Sequence, residues 1–398
     1  MRTVVLLIAV LQVRALERHV QGKAGDAKNG QQYRAMCTLV EIARQKATNL
    51  GKVTFDRADV DTIEDLNMSA SSLAWQSKFP SKEPTQPAPA PKCSGSNQPI
   101  ACHPDCNKWK SAKVRTAGKH EAGTTLKVFP CIQETAQGKR AQTAISDLAA
   151  NAAAVYKNYQ ETVKQTLGGA QEAISHALQD ALWGKQTRPL SGEAQDKWAP
   201  TGTRKTDCEG TKAGISLRDD ITCLCARGTT QDGHICGNNV DNDCTAWGGP
   251  AAAADATRIT AKCSEVAKPS LTAQTIRAAK LNFDAQLRSH ATGSKDTIHI
   301  GTLKSDGSCE RSNDGGCVDY TQALKPQETG KPNAISWYNS LSDAADKLEE
   351  YIQAQRKEDG VRQDLQRLRK NAEQRYKALK IGEDAPENIK ATYKNSKR

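Results

Sequence analysis

The sequence predicts a mainly α-helical fold: an elongated antiparallel long-helix hairpin with a third carboxy-terminal helix, a three-helix stalk or coiled coil, capped by disulfide-rich loop lobes at both ends. Three observations predict it. Apolar and small residues recur at a spacing of three and four over three long stretches. Thirteen cysteines gather between them, mostly in segments rich in Gly, Asp, Asn and Thr. Aromatics are only 5% of the 398 residues, so the chain has little material for a wide core, whereas its abundant Ala suits narrow helix packing.

At the amino terminus, Met1 and Arg2 lead into an apolar run from Val4 to Val13, broken by Gln12. The run is too short to span a bilayer and suits a secretory signal peptide. Val13 and Ala15 form one small-residue cleavage pattern, Val20 and Gly22 a second, so residues 1–22 are assigned to the signal with cleavage anywhere in 15–27.

The first helix is expected over 28–76. Tyr33, Met36, Val40, Ala43, Ala47 and Leu50 mark one face, and Val60, Ile63, Asn67 and Leu73 carry the stripe towards Trp75, with a bend at Gly51. Five prolines between Pro80 and Pro91 end it, because Pro has no N–H to donate and clashes with the preceding turn. A small Cys lobe over 77–132 follows, holding Cys93, Cys102, Cys106 and Cys131. A second helix is expected over 133–184, striped by Ile145, Leu148, Ala152, Val155, Tyr159, Val163, Leu167, Ala170, Ile174, Ala177 and Ala181, with Gly168-Gly169 marking a close crossing.

Residues 185–332 carry eight cysteines, weak periodicity and no long apolar run, and are read as a loop-rich top lobe. A third helix is expected over 333–380, faced first by Ile335, Tyr338, Leu341, Ala345, Leu348 and Ile352, then by Leu365, Leu368, Ala372 and Tyr376. Residues 381–398 read as the start of a linker towards a further carboxy-terminal domain. The chain stops at Lys397-Arg398 with no apolar tail, which reads as an excised or truncated product.

Behind a signal peptide such cysteine clusters are disulfides, whose pairing a sequence does not give. Chain direction sorts them. Cys93, Cys102, Cys106 and Cys131 fall at one end and can pair completely. Cys37 falls at the other with Cys208, Cys223, Cys225, Cys236, Cys244, Cys263, Cys309 and Cys317. Cys37 with Cys208, which flank the top of the hairpin, and Cys309 with Cys317, a local closure, are the expected bridges. The odd count leaves at least one thiol free or bonded outside this chain.

At this point the residues resemble a family, the amino-terminal domain of trypanosome variant surface glycoproteins of the B type. Tyr33-Arg-Ala-Met-Cys37-Thr-Leu-Val-Glu-Ile-Ala43 is similar to the family's opening helix. Asp220-Ile-Thr-Cys223-Leu-Cys225, followed by Cys236, Cys244 and Trp247, is similar to its paired-cysteine segment. The Ala-rich second helix and the closing helix with Trp337 also fit. The resemblance covers roughly 24–380 and its motifs are loose; their order carries it. It implies a dimeric or higher homo-oligomeric coat protein, held on the parasite plasma membrane by a glycosylphosphatidylinositol anchor and exchanged to evade host antibodies. Oligomer contacts are expected on apolar residues of the second and third helices. A receptor for a host serum protein or nutrient on the same scaffold is the alternative.

The net charge is +11, of which the stretch from Arg356 to Arg398 supplies +6, with 13 basic residues against 7 acidic. Its aromatics are only Tyr376 and Tyr393, so it reads as a solvated helix face and no nucleic-acid partner is expected. Cys223-Leu-Cys225 with His234 and Cys236 offers four zinc-type ligands, but one intervening residue is a poor spacing for a tetrahedral site. Cys102-His103-Pro104-Asp105-Cys106 has no matching pair nearby. No HExxH, phosphate loop, GxSxG or dinucleotide fingerprint occurs. No catalytic residue, metal or cofactor is nominated, and a zinc-dependent secreted enzyme is the remote reading. Asn67-Met68-Ser69 is the one N-linked glycan acceptor in the sequence.

Overall fold

The computed structural model describes residues 27–384 except 48–49, 51–54, 84–92, 95–97, 118–134, 186–199, 201–202, 227–233, 238–239, 241–246, 248, 267, 293–294, 311–315 and 325–334. The signal segment and Cys131, Cys244 and Gly51 therefore lie outside the described residues. The chain divides into two compact units, Met1–Leu50 with Gly169–Glu350 and Gly51–Gly168 with Tyr351–Arg398. The fold is mainly helical and disulfide-bonded.

In the first unit, helix α1 (Gly30–Ala43) is buried almost all round, through Tyr33, Met36, Cys37, Leu39, Val40 and Ile42. The expected single helix over 28–76 is corrected here. Helix α1 ends at Arg44, and Gln45 turns to donate its Nε2 to Pro269 O at 2.6 Å. Helical structure resumes in the second unit with α2 (Ala58–Ala70), and Ser71 then goes extended so that Ser72 Oγ can accept from Trp75 N and start the short α3 (Leu73–Gln76). Ser side chains compete for backbone partners in this way, which breaks helices in the interior and starts them at caps. Leu73, expected on the buried stripe, is 69% exposed.

The second unit adds a 3-10 turn (Ile100–Cys102), α4 (Cys106–Ala117) and α5 (Ala136–Asn158), whose first turn is capped by Thr135 Oγ1 accepting from Gly138 N at 3.0 Å. A π turn at Tyr159–Val163 joins α5 to α6 (Lys164–Trp183). Gly168 and Gly169 mark no close crossing among the described residues, where a Cβ at either would meet nothing within 4 Å. The core here is Val60, Ile63, Leu66 and Ala70 against Ile145, Ala149, Ala152, Leu365, Ala372 and Tyr376, the last three from the long closing helix (Ser336–Asp384). Phe55 packs on Tyr159, ring centroids 4.4 Å apart, while Met68 shares a cleft with Ser146 and Ala149, so α2 and α5 run antiparallel. Arg362 lies over the Phe55 ring and Arg369 Nε pairs with Asp59 at 2.9 Å, so the closing helix runs parallel to α2. This is a three-helix packing of alternating direction.

Among its described residues the 185–332 segment is mostly helix and strand rather than loop. It holds α7 (Arg204–Cys208), α8 (Leu217–Cys225), α9 (Gly249–Ala261) continued by a 3-10 turn at Lys262–Glu265, and α10 (Ala273–Asp284). A three-stranded antiparallel sheet follows, β1 (Arg288–Thr292), β2 (Lys295–Thr302) and β3 (Gly316–Asp319) in that order, then α11 (Thr321–Leu324). The closing helix is α12, and it continues to Asp384, past the expected end at 380. Helix α10 buries an apolar face of Ala273, Ile276, Ala279 and Phe283, whereas α8 and β2 bury polar residues that hide their pattern in the sequence. All nine residues of α8 are buried, Arg218, Asp219, Asp220 and Thr222 among them, and β2 buries Thr297 and His299.

Candidate functional site

The first unit is organised around α8. Ser216 Oγ starts it by accepting from Asp219 N at 3.1 Å. Its C-terminal carbonyls are covered by the Arg204 guanidinium, which donates to Ala226 O at 2.5 Å, Cys223 O at 2.8 Å and, beside the Ala226 N–H, Thr222 O at 3.3 Å. A cation there also complements the helix dipole. Trp247 stacks over Arg204 at 4.7 Å and donates its Nε1 to Asp207 at 2.8 Å.

On the other side of α8, the buried Asp220 carboxylate accepts from Trp337 Nε1 at 2.7 Å, Tyr320 Oη at 2.8 Å and Gly214 N at 3.1 Å. Burial pushes this carboxyl up to about 7 despite the three donors. The Tyr320 hydroxyl is raised well above its usual range by burial and then by Asp220. Neighbouring Asp219, paired with Arg218 at 2.8 Å, is also raised by burial. Phe283 packs edge-on against Trp337, centroids 4.8 Å apart.

Asn29, fully buried, joins the start of α1 to the rest. Its Nδ2 donates to Gly316 O at 2.7 Å and Leu224 O at 3.2 Å, and its Oδ1 accepts from Thr302 Oγ1 at 2.9 Å. Sequence reading passed over Asn29. Its only signal is an Asn before a helix, and here it does not cap that helix.

Among the described residues five disulfides are formed: Cys37–Cys263, Cys93–Cys102, Cys208–Cys223, Cys225–Cys236 and Cys309–Cys317. The expected Cys37–Cys208 bridge is corrected. Helix α1 packs on the α9 segment, where Tyr33 Oη donates to Ile259 O, and this brings Cys37 to Cys263; Cys208 instead lies at the end of α7, facing α8 and Cys223. The Cys309–Cys317 closure is present. Complete pairing of the small lobe is also corrected, because Cys106 is a buried free thiol packed with Met68, Phe79 and Ala112. The zinc reading of Cys223, Cys225, His234 and Cys236 loses its ligands, since all three sulfurs are in disulfides. In the other motif Cys102 is bonded, and His103 stacks on Trp109 while its Nδ1 accepts from Asp105 N.

In the second unit a cleft of about 540 Å³ opens between α2, α4 and α5. Trp75 and Trp109, edge to face with centroids 5.2 Å apart, form one wall, and Gln142, Ser146, Ala149 and Ala153 of α5 form another. Asn67 lines it and is half-buried.

The opening helix with Cys37, the Cys-x-Cys helix bridged on both sides and the closing helix anchored by Trp337 carry the motifs of the chain. A family model described as the trypanosomal VSG domain fits residues 5–367. The chain belongs to this family. Among curated proteins it is similar to variant surface glycoprotein ILTAT 1.23 of Trypanosoma brucei brucei, 24% identical over 384 residues, covering 91% of this chain and 69% of that protein. It is also similar to variant surface glycoprotein ILTAT 1.21 of the same organism, 22% identical over 352 residues, covering 87% and 72%. In this VSG domain the motif residues Asp220, Cys223, Cys225, Cys236, Trp247 and Trp337 converge on α8, and they serve to fix it. No helix among the described residues is long and apolar enough to cross a membrane.

Proposed function

We propose that this VSG domain is the outward part of a variant surface coat glycoprotein of a trypanosome, whose role is steric: many copies form a layer that shields other surface proteins from host antibodies. The observation that carries this reading is the family match over residues 5–367. The interior chemistry is consistent with it. Asn29, Asp220, Arg204 and the disulfides are spent on holding backbone, so exposed positions are free to vary without loosening the frame, which is what exchange of antigenic type requires.

In this reading the protein is a homodimer or higher homo-oligomer, leaves the cell by the secretory pathway, and is held on the outer face of the plasma membrane by a glycosylphosphatidylinositol anchor in its full-length form. The test is to express the chain, joined to the carboxy-terminal region of a relative, as the sole coat protein of a trypanosome. Antibodies against the chain should label live cells uniformly, and a phosphatidylinositol-specific phospholipase should release the label. Sparse label confined to one surface patch, with specific capture of a serum protein, would replace this reading with that of a receptor.

A further inference from the structure

We infer that the cleft between α2, α4 and α5 receives the proximal sugars of an N-linked glycan carried by Asn67, so that the glycan is a packed part of the second unit. The inference rests on the secretory routing of the proposed function and not on the coat role. Three observations carry it. Asn67 heads the one Asn-x-Ser/Thr acceptor of the sequence, lines the cleft, and its side chain makes no hydrogen bond among the described residues.

Ser69, the third acceptor residue, is 3% exposed and its Oγ has no hydrogen-bond partner among the described residues. A buried hydroxyl without a partner is destabilising, and Ala would fill the same place without that penalty. The hydroxyl has a use before folding, when the acceptor segment is read as an extended chain. There the Asn67 Nδ2 attacks the anomeric carbon of a lipid-pyrophosphate-linked oligosaccharide. The C–N bond forms, the C–O bond to pyrophosphate breaks, the lipid pyrophosphate leaves with the electron pair, and one amide proton is lost to a base.

The cleft then matches the chemistry of what is attached. Its volume, about 540 Å³, is within the range of small-ligand sites. Trp75 and Trp109 offer apolar ring surface to the C–H face of a pyranose. Gln142 and Ser146 offer hydrogen bonds to hydroxyl and acetamido groups, and Ala149 and Ala153 leave room above α5.

The test uses the full chain secreted from a eukaryotic host. Peptide mass spectrometry after digestion with a peptide N-glycosidase in heavy-oxygen water reads occupancy at Asn67. The native protein should resist that glycosidase many-fold more than the denatured protein. Hydrogen exchange over 106–117 and 142–153 should become several-fold faster in the Asn67→Gln variant, and Ser69→Thr should keep the glycan while Ser69→Ala loses it. If Asn67→Gln is not secreted, Ser69→Ala supplies the unglycosylated protein for the same comparison. An unmodified Asn67 in secreted, folded protein overturns the inference. So does a glycan removed equally fast from native and denatured protein, with exchange unchanged in its absence. Either failure leaves the cell-surface experiment, and the coat reading, untouched.

Discussion

Trp337 donates its indole N–H to the Asp220 carboxylate at 2.7 Å across 117 residues of sequence, and Tyr320 donates its hydroxyl to the same oxygen at 2.8 Å. Both donors and the acceptor are buried. Trp337→Phe removes one hydrogen bond and is expected to cost about 1–3 kcal/mol. Asp220→Ala leaves three buried donors unpaired, Trp337 Nε1, Tyr320 Oη and Gly214 N, and is expected to cost more. Urea titration of the two variants should show a lower midpoint with an unchanged slope.

The Asp220 carboxyl stands at about 7 in the fold because burial outweighs its donors, against 3.8 as the ordinary value. Between those values the folded state binds the extra proton, so this group's contribution to stability is largest on the acid side and declines as pH rises from about 4 through 7. Asp65 in the second unit, raised to about 6 by burial against the pull of Arg115, acts with the same sign. The prediction is a difference. Wild type should lose more stability than Asp220→Asn between pH 5 and pH 8, and equal slopes in the two proteins would refute it.

Cys37–Cys263 closes 226 residues, whereas Cys309–Cys317 closes 8. Loop-closure entropy grows with the length tied off, so removing the long bridge should destabilise by about 3–5 kcal/mol and the short one by about 2–3 kcal/mol. Thermal unfolding of Cys37→Ala/Cys263→Ala and Cys309→Ala/Cys317→Ala would rank them.

Gly301, at φ +92°, sits where β2 meets β3, and an added Cβ would collide with Gly316 O and Leu224 Cδ1. Gly316, which pairs with the neighbouring Thr302, is also tight, an added Cβ falling 2.6 Å from Leu224 O. Gly301→Ala therefore combines a left-handed backbone with a backbone collision, and is expected to cost about 2 kcal/mol or more. Gly360→Ala, where nothing lies within 4 Å, should stabilise α12 by about 0.5–1 kcal/mol. Circular dichroism melts of the pair test the contrast.

Much of the helical frame was legible. The stripe from Ile145 to Ala181 coincides with α5 to α6, and that from Tyr338 to Tyr376 with α12 except at Ile352, which is 40% exposed while Tyr351 beside it is buried. The break before α3 was not legible, since Ser71-Ser72 leaves helix only when Ser72 finds Trp75 N. Helix α8 and strand β2 were missed for a different reason: Arg218, Asp219, Thr297 and His299 are inside, and periodicity looks for apolar residues there. For the cleft, Asn67 was visible in the sequence, while its neighbours Trp109 and Gln142 come from helices distant along the chain.

The sequence by itself determined where long helices can form, that cysteines gather in the intervening segments, and that the order of these features resembles one family. Those properties are local or depend only on order. Tertiary structure alone decided which sulfurs distant in sequence meet, as in Cys37 with Cys263, and which polar groups go inside. Each depends on packing that brings distant segments together, and a buried Asp is tolerable only where a distant Trp and Tyr complete its hydrogen bonds.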